Sequence, residues 1–111
     1  MVLSQYVQLT QILNSLLANA LEAMDAGGTL TIDLDPCDSR RVCVTISDTG
    51  KGMTEEQRRM AFRPFFTTKQ GGLGVGLVLV KRIMERFGGT VALDSREGEG
   101  TRVSLTFKRV P

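Results

Sequence analysis

Two glycine patches hold the residues in this chain best suited to chemistry. Asp48-Thr49-Gly50-Lys51-Gly52-Met53 closes a strand-like run, and Gly71-Gly72-Leu73-Gly74-Val75-Gly76 opens a helix-like one. Glycine serves where the backbone needs positive φ or where a ligand must approach the main chain closely. Two such patches bracketing one loop suggest a mobile flap over a phosphorylated ligand. In the second patch Gly72, Gly74 and Gly76 run with Leu73, Val75 and Leu77 straight into the helix. That pattern aims backbone N–H groups and the positive helix end at an anion. Its spacing is not that of the dinucleotide fingerprint, and no Gly-Lys-Ser/Thr follows as in a P-loop. Lys69, in the loop between the patches, is suited to pairing with a phosphate and equally to being a solvated loop lysine.

Other polar residues carry two readings each. Asn19 lies at the border of an apolar helical arc, where its amide oxygen can reach a cleft and meet a hard cation such as Mg²⁺. Magnesium keeps its waters and substrate phosphates, so one asparagine is enough; the plainer reading is a boundary residue bonded to solvent. Glu22, taken alone, is a solvated helix-face charge. Asp48 is either a turn former or a carboxylate accepting a hydrogen bond from an exocyclic amine at the bottom of a pocket. Thr101 either supports that carboxylate or is an ordinary β-former. Phe62, Phe65 and Phe66 read as packing residues. The 111 residues contain no histidine, which removes Ser-His-Asp and Cys-His catalysis and histidine-ligated zinc from this chain. Cys37 and Cys43 form no metal or redox spacing and are expected as free thiols in a reducing compartment.

The elements that must position these residues follow from periodicity. From about Gln5 to Met24, Leu9, Ile12, Leu13, Leu16, Leu17, Ala20, Leu21 and Met24 fill one half of a helical wheel, and Gly27-Gly28 stops the helix. Thr29 to Asp35 and Arg41 to Asp48 alternate like neighbouring antiparallel strands. Thr54 and Gln57 match a capping box opening a short helix that ends before Pro64. A helix from Gly74 or Val75 to Phe87 precedes two more strands, Thr90 to Ser95 and Thr101 to Lys108. The expected fold is therefore α+β, a two-layer sandwich of a mixed, mostly antiparallel sheet on about three helices.

Composition fits one domain, residues 1–111, with 41% apolar and 23% charged residues. A net charge of +2 gives no case for nucleic acid or an anionic membrane surface. No run of about 18 apolar residues exists to cross a membrane.

Together these positions resemble the catalytic and ATP-binding domain of sensor histidine kinases, whose Bergerat fold is shared with gyrase, the large heat-shock chaperone and the mismatch-repair ATPases. The asparagine box is Gln11 to Met24, with Asn14, Asn19 and Glu22. The first glycine box is Asp48 to Met53, the phenylalanine box Phe62-Arg63-Pro64-Phe65-Phe66-Thr67-Thr68-Lys69, and the second glycine box Gly72 to Leu77. Gly98-Glu99-Gly100-Thr101 also matches. The phenylalanine box separates histidine kinases from the other three groups.

The resemblance implies ATP and Mg²⁺ as ligands. It gives Asn19 to the metal, with Glu22 and Ala23 beside it, Asp48 to the adenine amine, and Gly50, Gly52 and Met53 to the base. It gives Thr68, Lys69 and the segment Gly72, Leu73, Gly74, Val75, Gly76 and Leu77 to the phosphates under a lid, and Thr101 to the Asp48 end of the pocket. Ser15 stands where hydrolysing relatives carry a glutamate, and serine cannot act as that carboxylate base. Arg63 replaces the usual acidic residue before Pro64. The implied acceptor is a histidine on a dimerisation domain of the same protein, with a response-regulator receiver domain downstream. The chain is expected to be a fragment of a larger cytoplasmic or membrane-anchored kinase. The family's opening strand is reduced here to Val2-Leu3, so the domain is expected either to fray partly at that edge or to form a homodimer by exchanging it. A serine-directed kinase and a nucleotide-binding scaffold without transfer activity are the alternatives.

Overall fold

Ile12, Leu16 and Ala20 recur at four-residue spacing and are almost fully buried, so one stripe of the opening helix faces the core. The computed structural model describes residues 3–63 and 76–108. They form α1 (Leu3–Ala23), β1 (Leu30–Pro36), β2 (Arg41–Asp48), α2 (Glu55–Met60), α3 (Gly76–Arg86), β3 (Thr90–Arg96) and β4 (Gly100–Lys108). Helix α2 starts with the expected capping box. The Gln57 N–H donates to Thr54 Oγ1 at 3.1 Å, and the Thr54 N–H donates to Gln57 Oε1 at 3.0 Å. The two bonds satisfy two N–H groups that a helix start otherwise leaves open.

The strands lie in the order β1-β2-β4-β3, and every described pairing is antiparallel. The expected α+β two-layer sandwich is thus present, and the described part of the sheet is antiparallel throughout rather than mixed. Register sets its two faces. Ile46 stands opposite Val103, and Val44 opposite Leu105, on the face covered by the helices. Thr45 opposite Ser104 and Ser47 opposite Arg102 lie on the other face, which stays polar. Val80, Ile83 and Met84 of α3 join Ile12 and Leu16 of α1 over the buried strand residues. Phe62 packs on this cluster, with Lys81 Nζ 5.8 Å from its ring centroid, as its packing role anticipates. Phe65 and Phe66 lie outside the described residues.

Strand β1 is the least covered element. Ile32 and Leu34 belong to the helix-side row but are 53% and 69% exposed, because the helical layer ends short of this edge.

The expectation of free thiols is corrected by the hairpin between β1 and β2, where Cys37 and Cys43 form a disulfide with Cα atoms 5.7 Å apart. Cys43 pairs in register with Asp35, two residues before Cys37. The turn then folds Cys37 back, its N–H donating to the Arg41 carbonyl at 3.0 Å. A six-residue spacing that looks unrelated along the chain becomes a short distance across a hairpin.

Candidate functional site

The site is assembled where α1 ends, β2 ends and the β3–β4 turn begins. Asp48 is the last residue of β2, half-buried on the helix side of the sheet between Leu30 of β1 and Thr101 of β4. One carboxylate oxygen, Oδ1, accepts the Gly50 N–H at 2.9 Å, which fixes the side chain against the turn that follows. The other oxygen has no hydrogen-bond partner among the described residues.

The first glycine box is tied down on three sides. The Lys51 N–H donates to the carbonyl of Ala23 in the last turn of α1 at 3.0 Å. Gly50 lies so close to this turn that an added Cβ would sit 2.5 Å from the same carbonyl oxygen. The Thr29 N–H donates to Thr49 Oγ1 at 2.9 Å, and the Thr49 N–H returns a bond to the Thr29 carbonyl at 3.2 Å. The Gly98 N–H of the β3–β4 turn donates to the Lys51 carbonyl at 2.7 Å. Gly52 adopts a φ of +68, and a side chain there would overlap the Arg96 carbonyl. Only glycine fits that position without displacing the turn.

Ser95 is a site residue that sequence reasoning passed over. It is 8% exposed, and its hydroxyl accepts the Met53 N–H at 2.9 Å and donates to the Gly100 carbonyl at 3.0 Å. Its oxygen also lies 2.9 Å from Thr101 Oγ1. With the Ser95 proton committed to Gly100, Thr101 is the donor in that pair. Thr101 is therefore the register neighbour of Asp48, while its hydroxyl is engaged by Ser95. The available signal was the alternation of β3, which places a serine in the row otherwise filled by Val91 and Leu93.

The remaining expected residues fall into two groups. Asn19 is half-buried on α1, one turn before Ala23, and Glu22 is exposed beside it. Gly76 opens α3, while the Leu77 side chain is buried in the core and leaves only its backbone for a ligand. Thr68, Lys69, Gly72, Leu73, Gly74 and Val75 lie outside the described residues. A cavity of about 330 Å³ borders Asp48, Ser95 and Thr101 at the strand ends. It also takes in Ser47 and Arg102 from the polar face, and its lining among the described residues does not include Asn19. Among the described residues no cluster of three or more His, Cys, Asp or Glu can hold a metal ion. A divalent ion at Asn19 would therefore draw most of its ligands from water and phosphate, as magnesium does. No helix among the described residues is long and apolar enough to cross a membrane.

The chain is similar to several known proteins. It is 41% identical over 93 residues to the sensor histidine kinase ZraS of Salmonella typhi, covering 84% of this chain and 20% of that protein. Against sporulation kinase E of Bacillus subtilis it is 36% identical over 100 residues, covering 90% of this chain and 14% of the relative. It thus spans a fifth or less of the length of these curated relatives. Among solved structures, the catalytic domain of the histidine kinase ThkA superposes with a TM-score of 0.81 at 30% identity, covering 95% of this chain and 69% of that one. Full-length ShkA in complex with AMPPNP superposes with a TM-score of 0.80 at 27% identity, over 94% of this chain and 22% of that one. Residues 4–111 match the family described as histidine kinase-, DNA gyrase B-, and HSP90-like ATPase. With its asparagine, glycine and phenylalanine boxes in order, the chain belongs to that ATPase family, on the branch of the sensor histidine kinase catalytic domains.

Proposed function

We propose that residues 1–111 are the ATP-binding catalytic domain of a larger sensor histidine kinase. In this reading the domain passes the γ-phosphate of ATP to a histidine on a dimerisation domain of the same protein. The observation that carries the reading is the state of Asp48. Its carboxylate is half-buried, held on one oxygen by the Gly50 N–H and, among the described residues, open on the other. A carboxylate so held is suited to accept the exocyclic amine of adenine. Gly50 and Gly52 present backbone rather than bulk beside it, and the Met53 side chain packs on the core cluster. Asn19 stands one turn before Ala23, whose carbonyl is bonded to the same loop, so the metal residue and the base residue belong to one framework.

Phosphoryl transfer depends mainly on position and charge neutralisation. Mg²⁺, when bound, offsets charge on the phosphate oxygens. The chain's own share falls to the Asn19 amide, to Thr68 and Lys69 of the phenylalanine box, and to the backbone from Gly72 to Leu77. The N–H groups and positive end at the start of α3 would contribute positive potential at the phosphates. A histidine ring nitrogen forms the new bond to the γ-phosphorus, the bond to the bridging oxygen breaks, and ADP leaves. That histidine must lie outside these 111 residues, which contain none. Ser15 cannot act as a general base for water, so the chemistry favours transfer over hydrolysis. A response-regulator receiver domain is the next acceptor in this scheme, and the AMPPNP held by the neighbour ShkA supports the nucleotide class.

The test combines this domain with a separately made helical domain carrying a single histidine, together with γ-labelled ATP and Mg²⁺. Acid-labile, alkali-stable label on the helical domain is the expected result. Label on serine, or no label while ATP is bound, would overturn it.

A further inference from the structure

We propose that Cys37 and Cys43 form a reversible thiol–disulfide site that locks the outer half of edge strand β1 onto the sheet. Three observations carry it, and none involves the nucleotide site.

The first is the uneven support of β1. Its inner end is fastened by the paired bonds between Thr29 and Thr49, and Leu30 packs on the core. From Thr31 to Pro36 every residue is exposed, and among the described strands β2 is the one that pairs with this stretch. The outer turn has only surface contacts. The Cys37 and Asp38 N–H groups donate to the Arg41 carbonyl at 3.0 and 3.5 Å, and the Asp38–Arg41 ion pair at 3.4 Å is open to water. Such exposed pairs contribute little. Beyond the ladder to β2, which runs out to Pro36 opposite Val42, the covalent bond is the chief restraint on this end among the described residues.

The second observation is access. Cys37 is exposed and Cys43 half-buried, so a small thiolate can reach a sulfur atom without unfolding the sheet. The third is the charge around Cys43, which lies on the polar face. Arg41 is two residues along β2 and Lys108 pairs with Arg41, while Asp35 stands directly across. Thr106 Oγ1 is 3.7 Å from the sulfur. Arg41 is itself paired with Asp38, so groups of both signs keep this end of the hairpin hydrated and open to a charged thiol.

The chemistry balances with glutathione as the partner couple. Two molecules of reduced glutathione give up two hydrogens to the protein disulfide, leaving two protein thiols and one glutathione disulfide; oxidation is the reverse. Closing a ring across a sequence separation of six disfavours the opened state by a factor on the order of forty at most. Reduction should free the Asp33–Pro36 stretch while the Thr29–Thr49 end remains paired.

The test equilibrates the whole chain in buffers of differing reduced and oxidised glutathione. Thiol alkylation with intact mass reports the redox state, and amide hydrogen exchange reports opening. The expected result is interconversion in both directions. Exchange at Asp33 and Asp35, whose N–H groups face β2 in phase with the Cys37–Arg41 bond, should be about ten- to fortyfold faster in the reduced form, while Val103 and Leu105 change less than about twofold. A variant with both Cys37→Ser and Cys43→Ser should match the reduced form in every buffer. If it does not fold, the reduced natural chain still supplies the comparison. Two alkylatable thiols after incubation in oxidised glutathione would overturn the proposal. So would a bond that survives excess reduced glutathione, or an exchange change shared equally by β1 and β4.

Discussion

Replacing Ser95 with alanine removes one oxygen and breaks three hydrogen bonds at once. The Met53 N–H loses its acceptor at 2.9 Å, the Gly100 carbonyl its donor at 3.0 Å, and Thr101 Oγ1 its partner at 2.9 Å. A net hydrogen bond contributes roughly 0.5–1.5 kcal/mol, and a buried group left unpaired costs more. Water can reach the half-buried Met53 and Thr101 ends, whereas Gly100 is buried. The loss should therefore be about 2–3 kcal/mol, read as a fall in Tm of roughly 6–12 °C for a domain of this size. Because Met53 belongs to the loop assigned to the base, nucleotide affinity should weaken severalfold as well. Thermal denaturation and calorimetric titration on Ser95→Ala measure both quantities. Ser95→Thr, which keeps the hydroxyl, should recover part of each. A Tm within about 2 °C of the natural chain, with unchanged affinity, would refute the proposed coupling of β3 to the glycine loop.

Three further outcomes follow from the packing and charges. Gly52→Ala forces a side chain into left-handed backbone and into the Arg96 carbonyl, so it should cost at least about 2 kcal/mol by urea denaturation. Leu105→Ala empties a site with 0% exposure and should cost roughly 2–5 kcal/mol in the same assay. The Arg58 hydrogen bond and charge hold Glu55 below the usual carboxylate range. Its small contribution should be complete above the ordinary glutamate range and vanish as pH falls through the lowered folded value. The stability gap between the natural chain and Glu55→Gln should therefore be present at neutral pH and close in acid.

Much of this architecture was legible in the chain because local and global preferences agree. The four-residue recurrence of Ile12, Leu16 and Ala20 marks α1, and the alternation through Val44 and Ile46 marks β2 with its buried face. Thr54 and Gln57 cap α2 through bonds between near neighbours, which sequence spacing reports directly. Asp48 at a strand end before glycine was readable for the same reason. Ser95 was not, because its value lies in three partners drawn from a loop, a turn and another strand. The cysteine pair was missed on similar grounds, since its closeness depends on the β1–β2 register and not on spacing. Asn19 and Asp48 could be named separately, but the contact joining their elements, Lys51 to Ala23, exists only in three dimensions.

Calorimetric titration of ATP or ADP with Mg²⁺ into the natural chain and into Asp48→Asn tests the central claim most directly. The half-buried carboxylate predicts saturable 1:1 binding to the natural chain. Replacing a charged acceptor by an amide should then weaken it by about ten- to a hundredfold, corresponding to roughly 1.5–3 kcal/mol. Equal affinity in the two proteins, or no binding to the natural chain, would contradict the assignment of Asp48 as the reader of the base.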